Sequence, residues 1–413
     1  MASLPAAAAA RSVPGDPSAL DRRGMAVLAI AHVIDDLNQS ALPALLPFLI
    51  AAQGLTYTSA SFLVLFASLA SSLVQPAIGA LADRRAMPWL VPLGVFLAGG
   101  GLALVGIAPS YGAIVVAVAI SGIGIATFHP EAARYANYAA GAAKASGMRW
   151  FAVGGNLGFA LGPLAVWPLV LVFGLKGTLG LAVPVTLAAL VLLRELPRLD
   201  ARVPHAAARR SAGIDRWGPF AGLTVAICVR SMAYIGLVTF IPLFLIGVSR
   251  VSKQEADVAL TVFLLAGALG TLAGGRFADR VGRKAAFVFS TLLSAPLILG
   301  FAFVTGATHE RLLVLAVLIL AGFVLVASQT AFIVMAQEYL PNRLGVASGV
   351  TLGLAISVGG AGAPLLGALA DRLGLYAALE AIAALVLLAG LIAAFLPRTA
   401  VDRAISERIV PST

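Results

Sequence analysis

Residues 32–40, HVIDDLNQS, lie inside the first long apolar segment of the chain, which runs over residues 25–51. A segment of this length crosses the hydrocarbon core of a bilayer as an α-helix. Helical geometry brings His32, Asp36 and Gln39 to one narrow face, with Asp35 at its edge. Ionisable groups at bilayer depth are costly and almost always face a bundle interior or a water-filled path. The stretch therefore predicts a helical membrane protein that moves something along a polar path.

The composition of the whole chain supports this prediction. Of its 413 residues, 60% are hydrophobic and 11% are charged, and the mean hydropathy is +0.99. A soluble domain carries about a quarter charged residues. The apolar runs lack the alternation of a membrane β-strand, so they indicate an all-α membrane protein. A single cysteine, Cys228, excludes an internal disulfide framework.

Twelve apolar runs are predicted as membrane spans, six on each side of a polar stretch that carries five arginines. They cover residues 25–51, 58–81, 89–108, 111–135, 147–173 and 177–195, then 219–247, 257–278, 285–305, 311–337, 346–369 and 375–396. The predicted organisation is a disordered tail (1–24), a six-helix bundle (25–196), a linker (197–218), a second six-helix bundle (219–397) and a second tail (398–413).

The distribution of basic residues predicts the orientation. With the N-terminus inside, 22 of the 28 Lys and Arg residues fall in cytoplasmic segments, five fall outside, and Arg230 lies within a span. Cytoplasmic loops of membrane proteins carry an excess of Lys and Arg. Both termini and the linker are therefore expected in the cytoplasm. The formal charge of +10 reflects this topology, and we expect no nucleic-acid partner.

Two kinds of motif recur in corresponding spans. GRFADRVGRK at 275–284 ends span eight, and GALADR at 79–84 ends the corresponding span two. A third copy, GALADRLG at 367–374, ends span eleven, which is not the counterpart of these spans, and it is interpreted as a helix-end repeat. The glycine-rich run GGNLGFALGP at 154–163 in span five is matched by GGAGAP at 359–364 in span eleven. Such an echo between the two halves is typical of a duplicated six-helix unit.

The motif at 275–284, the partial copy at 79–84, the twelve spans and the central linker resemble the major facilitator superfamily over essentially the whole chain. HVIDDLNQS at 32–40, FHPE at 128–131 and the run at 154–163 resemble its fosmidomycin-resistance group of drug exporters. The resemblance implies twelve transmembrane helices in two pseudo-symmetric six-helix bundles, in the inner membrane of a bacterium. It also implies a monomer that exports a small molecule in exchange for protons.

The resemblance gives the helix-end motif the role of a latch that holds the cytoplasmic side shut. Asp279 is expected near the N-terminus of span five, where the helix dipole favours an anion, and Asp83 near the start of span eleven. The motif arginines would add charge-assisted bonds to neighbouring helix ends. The predicted latch residues are Asp83, Arg84, Asp279, Arg280, Gly282 and Arg283. The copy at 367–374 falls on the outer side by helix count, and no latch role is predicted for it.

Intramembrane acids and imidazoles form the predicted proton-coupling site. Burial favours the protonated form of a carboxyl group, which can then exchange protons near physiological pH. The alternative is a structural hydrogen-bonded cluster, but the cost of intramembrane acids favours a functional one. Asp36 is the preferred proton carrier because it shares a face with His32. The predicted proton-coupling residues are His32, Asp35, Asp36 and Glu131; Glu131 is either mechanistic or the partner of Arg134 in an ion pair.

Arg230 is the one basic residue well inside a predicted span. A buried Arg without a partner is costly, so Arg230 is expected to be the counter-charge of an anionic substrate or to pair with Asp35 or Asp36. Arg149 is either a second cavity cation or a positive-inside anchor. The predicted substrate-binding residues are Gln39, His129, Arg149, Asn156, Arg230 and Tyr234.

The predicted function is proton-coupled export of a small drug-like or anionic compound by alternating access. The alternative is proton symport of an organic anion into the cell. No P-loop is present, so ATP is not expected to drive transport. No HExxH or GxSxG motif lies at membrane depth, so we expect no enzyme, no catalytic residue, no cofactor and no metal. The expected partners are a small-molecule substrate, protons and the lipid bilayer.

Overall fold

The computed structural model describes residues 19–84, 87–141, 144–200, 213–308, 310–343, 346–347 and 349–399. Within these ranges the α-helices are α1 (Arg22–Gln53), α2 (Tyr57–Arg84), α3 (Leu90–Leu104), α4 (Tyr111–Ala139), α5 (Lys144–Phe173), α6 (Ala182–Asp200), α7 (Trp217–Ser249), α8 (Lys253–Val281), α9 (Arg283–Ala307), α10 (Arg311–Tyr339), α11 (Ala355–Leu373) and α12 (Leu375–Ala394). A 3₁₀ segment (Gly174–Leu181) joins α5 to α6, and a π-helical turn (Gly349–Leu354) precedes α11. Each predicted span corresponds to one helix, and the all-helical fold is confirmed.

Eight segments of the described chain are long and apolar enough to cross a membrane. One of them, Trp150–Asp200, covers most of α5 and all of α6. Helix α1 is not among the eight because the polar residues at 32–40 interrupt its apolar sequence. This is the helix on which the sequence predicts the proton-coupling site.

The glycine of the helix-end motif makes a direct turn between two antiparallel helices. Gly282 separates α8 from α9 with φ 94°, and Gly374 separates α11 from α12 with φ 90°. Positive φ is costly for residues with a Cβ atom, so glycine permits a one-residue connection. The copy at 79–84 is followed by Arg85 and Ala86 instead, which lie outside the described residues.

Helices alternate in direction, which defines two sides of the molecule. The start of α1, the end of α6, the start of α7 and the end of α12 lie on what we call the linker side, and the opposite helix ends lie on the far side. On the linker side, Arg23 pairs with Glu195 and Arg198 with Asp21, all within the first half. Arg283 pairs with Glu338 at 3.1 Å within the second half.

The hydrophobic core is continuous across the halves on the far side and divided on the linker side. One buried cluster includes Leu45 and Leu49 of α1 together with Phe244 of α7 and Phe263 of α8. Two further buried clusters each stay within one half. The first-half cluster includes Phe128, and the second-half cluster includes Phe332. The two six-helix halves therefore pack together at the far side and form separate cores at the linker side.

Candidate transport site

A cavity of about 300 Å³ lies between the two halves. Asp36, Gln39, His129 and Asn156 of the first half line it, together with Arg230, Tyr234 and Gln329 of the second. Phe159 of α5 stacks with Tyr234 across the halves, with ring centroids 6.5 Å apart. The cavity thus brings together five of the six predicted substrate-binding residues. The side chain of the sixth, Arg149, lies outside the described part of the chain.

Three side chains meet at the first-half wall of this cavity. His32 Nε2 lies 3.2 Å from Asp36 Oδ2, and His129 Nε2 lies 3.2 Å from Asp36 Oδ1. Helix α1 provides the first contact at a spacing of four residues, and α4 provides the second imidazole. The Asp36 carboxylate is therefore held between two imidazole rings, with one ring at each oxygen.

The other nitrogen of each imidazole fixes its tautomer. His32 Nδ1 lies 2.8 Å from the Phe151 carbonyl oxygen, and His129 Nδ1 lies 2.8 Å from the Ile125 carbonyl oxygen. A carbonyl oxygen only accepts hydrogen bonds, so each Nδ1 must carry a hydrogen. A neutral imidazole has a single N–H, which leaves both Nε2 atoms as acceptors. An ionised carboxylate also only accepts, so lone pairs would then face lone pairs at both contacts.

At least one additional proton must therefore reside in the cluster for its contacts to be favourable. One extra proton, on an Nε2 atom or on Asp36, makes one contact a hydrogen bond and leaves the cluster neutral. Two extra protons satisfy both contacts and leave it with a charge of +1. The geometry can consequently hold a variable number of protons without rearranging its heavy atoms. The nitrogen and oxygen atoms also lie within 4.8 Å of one another, close enough for one metal ion, but the two Nε2–oxygen contacts are already those of hydrogen bonds.

Asp35 lies beside this cluster and is fully buried. Within the described residues its oxygens accept no hydrogen bond, and His129 Nδ1 is 3.6 Å from Oδ2. That Nδ1 hydrogen points to Ile125, so Asp35 gains little from it. An ionised carboxylate without hydrogen bonds is costly at this depth, which makes Asp35 a second group able to hold a proton.

Glu131 lies apart from the cluster on the linker side of α4. It is fully buried, 3.3 Å from Arg134 Nε and 3.4 Å from the Met87 backbone nitrogen. Of the two roles left open by the sequence, these contacts favour the structural ion pair, because a carboxylate beside a guanidinium stays ionised.

Arg230 lies on the opposite wall of the cavity and is 4% exposed. Its Nε donates to Ser328 Oγ at 2.8 Å, one Nη donates to the Leu325 carbonyl at 2.6 Å, and its guanidinium lies 5.2 Å from the Phe332 ring centroid. Among the described residues it makes no ion pair, so the predicted pairing with Asp35 or Asp36 is not present in this structure. Two neutral acceptors and a ring fix the guanidinium but leave its charge uncompensated.

A glycine on α5 makes room for the proton-holding cluster. A Cβ atom built on Gly155 would lie 2.6 Å from Asp36 Oδ2 and 2.6 Å from His32 Nε2. Gly154, Gly158 and Gly162 let α5 approach α1 closely, since a Cβ atom added to any of them would lie 2.0–2.4 Å from an α1 atom. The glycine-rich run at 154–163 therefore packs α5 onto the polar face of α1.

The structure gives a partial view of the predicted latch. Asp279 and Arg280 are exposed, and the described residues provide no ion pair for either. Arg283 pairs with Glu338, which ties the start of α9 to the end of α10. Gly282 forms the connecting turn. The side chains of Asp83 and Arg84 lie outside the described part of the chain.

Three polar residues of the cavity were not among the site residues predicted from the sequence. Gln75, Gln329 and Thr351 line the cavity. Each is a polar residue in or beside an apolar helix, which is the signal that could have identified them.

Fold and cavity define the class of protein: a polytopic helical membrane protein with a ligand-sized cavity between two halves. Residues 28–364 match the Major Facilitator Superfamily. The chain is 34% identical over 385 residues to the Fosmidomycin resistance protein of Escherichia coli (strain K12), covering 90% of this chain and 92% of that protein. It is 32% identical over 382 residues to the uncharacterized MFS-type transporter YfnC of Bacillus subtilis (strain 168), covering 90% and 92%.

Solved structures show the same fold at low sequence identity. A bacterial homologue of the human lysosomal transporter Spinster, in an inward-facing and occupied conformation, superposes with a TM-score of 0.74 at 16% identity, covering 94% of this chain and 98% of that chain. The nucleoside transporter NupG gives a TM-score of 0.69 at 14% identity, covering 91% of this chain and 99% of that chain. The chain belongs to the Major Facilitator Superfamily, and it is a multi-pass membrane transporter and not an enzyme.

Proposed function

We propose that this transporter exports a small anionic or drug-like compound in exchange for protons, by alternating access at the cavity between its halves. The carrying observation is the Asp36 carboxylate between two imidazoles whose Nδ1 hydrogens are already committed. This arrangement stores protons at the wall of the substrate cavity. The resistance to fosmidomycin in the name of the 34%-identical relative supports export and an anionic, phosphonate-type substrate.

Charge complementarity supports an anionic substrate. Arg230 brings a buried positive charge to the second-half wall, and it has no acidic partner among the described residues. A carboxylate or phosphonate in the cavity would supply the missing counter-charge through a charge-assisted hydrogen bond. Gln39, Asn156 and Tyr234 line the same space and can donate or accept hydrogen bonds to the rest of the substrate.

The excess of basic residues on the linker side supports a cytoplasmic location for that side and for both termini. The structure is then an inward-facing state of a bacterial inner-membrane protein, since the two halves share one core only on the far side. In the opposite, outward-facing state, the linker side would close. Asp279 would then approach the N-terminus of α5, and Asp83 the start of span eleven near Ala347. Arg84, Arg280, Gly282 and Arg283 would complete the latch.

Proton binding and substrate binding would alternate at the cavity. A proton that reaches the Asp36 cluster from outside weakens the attraction between Asp36 and basic groups such as Arg230, which favours the return to the inward-facing state. After the proton leaves to the cytoplasm, the anion binds beside Arg230 and is carried outward. Coupling requires only that the protonated form and the substrate-loaded form be the two forms that switch between the inward-facing and outward-facing states.

Transport of fosmidomycin by reconstituted protein under an imposed pH gradient tests the proposal. Wild-type protein is expected to move the compound against the direction of the protons. Asp36→Asn is expected to lower the gradient-driven rate about a hundredfold, the lower end of the range for loss of one proton-transfer group. Glu380→Gln, an exposed acid on α12, is the matched control and should transport normally. Unchanged coupling in Asp36→Asn would refute the proton site, and movement with the protons would establish the symport alternative.

A further inference from the structure

The third copy of the helix-end motif, at 367–374, joins the two halves on the far side. Asp371, in the last turn of α11, accepts hydrogen bonds at 2.9 Å from the backbone nitrogens of both Tyr57 and Thr58, at the start of α2. The Thr58 hydroxyl donates to the same carboxylate. Helix α2 belongs to the first half and α11 to the second, so these three bonds cross the interface between the halves.

These bonds satisfy donors that α2 cannot satisfy itself. The first turn of a helix leaves its backbone N–H groups without intrahelical partners. The Thr56 hydroxyl accepts only the third of these in α2, from the Ser59 nitrogen at 3.1 Å. Asp371 takes the first two. A carboxylate is also favoured at a helix N-terminus by the helix dipole, whereas at the C-terminus of its own helix it is disfavoured. The position of Asp371 is therefore favourable only while α2 is in contact.

Close packing continues along the same seam. A Cβ atom on Gly367, one turn before Asp371, would lie 2.8 Å from the Tyr57 carbonyl oxygen and 3.0 Å from Ser61 Oγ. Two turns deeper, a Cβ atom on Gly360 would lie 2.4 Å from Ser68 Cβ. Ser61 itself is fully buried. The two helices therefore touch from the far-side surface toward the middle of the molecule.

We propose that Asp371 is the far-side latch of this transporter, a carboxylate on α11 that holds the α2 N-terminus and keeps the far side closed until the halves rock apart. Opening of the far side must separate α2 from α11, which breaks all three bonds at once and exposes Ser61 and Ser68. Disengagement of Asp279 and Arg280 on the linker side in the same structure agrees with a latch that alternates between sides.

The test is the rate at which a membrane-impermeant maleimide labels cysteines placed beneath the seam. Ser61→Cys and Ser68→Cys are made separately in a Cys228→Ser background, in the full-length protein. Labelling is measured in intact cells and in inverted membrane vesicles, so that the far side is reached whichever way it faces. Because the cysteines react when the seam is open, the rate follows the population of the open state even when that state is rare. No substrate is needed, and the result is independent of the proposed transport reaction.

Asp371→Ala is expected to raise the far-side labelling rate of both cysteines by the same factor, about tenfold or more for loss of a bonded carboxylate. Thr58→Val keeps the two backbone bonds and should raise it less. Gly367→Ala, which separates the helices by steric contact instead, should act in the same direction as Asp371→Ala. Arg372→Ala, the exposed neighbouring residue, is the matched control and should leave the rate unchanged.

Two results would overturn the proposal. An unchanged rate at both cysteines in Asp371→Ala would show that the bonds do not hold the halves together. A rise at Ser61→Cys alone would mean that Asp371 only caps the first turn of α2. If Asp371→Ala does not reach the membrane, Asp371→Asn, which keeps one acceptor oxygen, must show the same parallel rise at both positions, and its absence counts equally against a latch.

Discussion

Replacement of Gly155 by alanine should uncouple protons from transport without disturbing the fold. The new methyl group would lie 2.6 Å from Asp36 Oδ2 and from His32 Nε2, whereas ordinary contact begins near 3.4 Å. The side chains must therefore retreat by roughly 0.8 Å. A retreat of that size by one partner would lengthen the 3.2 Å contact between His32 and Asp36 to about 4 Å, beyond hydrogen-bond range.

The expected size of the effect follows from the bond that is lost. A hydrogen bond to a charged group contributes about 1.5–3 kcal/mol, which corresponds to roughly a 10- to 150-fold change in proton affinity or in gradient-driven transport. The clashing atoms are the ends of side chains and not backbone, so the helices need not move apart. We therefore expect a large loss of coupling and a small change in thermal stability.

The assay compares gradient-driven fosmidomycin transport in proteoliposomes with the melting temperature of the purified protein. Gly100→Ala is the matched control, because its Cβ atom would meet nothing within 4 Å. Both variants should melt close to wild type, and only Gly155→Ala should lose transport. Full transport by Gly155→Ala at a pH gradient would show that the contact between His32 and Asp36 is not needed for coupling, and the proposed proton site would then be wrong.

Three further changes probe packing, substrate charge and the linker side. Gly106→Ala places a Cβ atom 1.7 Å from the Leu175 carbonyl oxygen and should lower stability by about 1–3 kcal/mol in thermal melts, whereas Gly112→Ala, with nothing nearer than 4.0 Å, should not. Arg230→Gln should abolish saturable transport of the anion. Ser328→Ala, which removes one acceptor of Arg230 at 2.8 Å, should raise KM only about fivefold. Equal losses of transport in Arg230→Gln and Ser328→Ala would argue against a role for the Arg230 charge in binding the anion. Glu131→Gln weakens the contact with Arg134 and should lower the free energy of unfolding by about 1–2 kcal/mol, seen as a lower melting temperature, while proton coupling is kept. Lost coupling at normal stability would restore the predicted role of Glu131 as a proton carrier.

The helices were predictable because run length and hydropathy are local properties of the sequence. Helical periodicity also placed Asp36 and Gln39 on one face of α1, and both line the cavity. Periodicity identifies a face but not the element that packs against it. The sequence therefore suggested His129 as a substrate-binding residue, and His129 does line the cavity. It did not reveal that His129 Nε2 also contacts Asp36, which lies 93 residues earlier in the chain. The contact could not be inferred without the packing of α1 against α4.

For Arg230, the need for partners was predictable from the sequence, but the identity of those partners was not. The cost of a buried charge correctly required partners, but the sequence offered only acidic ones at membrane depth. The structure satisfies the guanidinium with a serine hydroxyl, a backbone carbonyl and an aromatic face. Backbone carbonyls occur in every helix, and a single serine or phenylalanine in an apolar helix carries no distinguishing pattern. The motif at 367–374 illustrates a related limit. Helix count places Asp371 on one side of the membrane, but it does not show which helix end packs against Asp371. For this reason the sequence predicted no latch role for this motif.

Comparison of the two equivalent far-side helix starts shows why Asp371 is unlike an ordinary cap. Helix α8 occupies in the second half the place that α2 occupies in the first. Its N-terminus is closed by its own capping box: the Glu255 nitrogen donates to Ser252 Oγ at 3.2 Å, and the Ser252 nitrogen donates to Glu255 at 2.9 Å. These bonds persist whichever way the halves move. The first two N–H groups of α2 depend on Asp371 from the other half, so their free energy is lost on opening. The cost of far-side opening is therefore concentrated at α2 and α11, and a change at Asp371 should shift the balance between the two states while a change in the α8 cap should affect only stability.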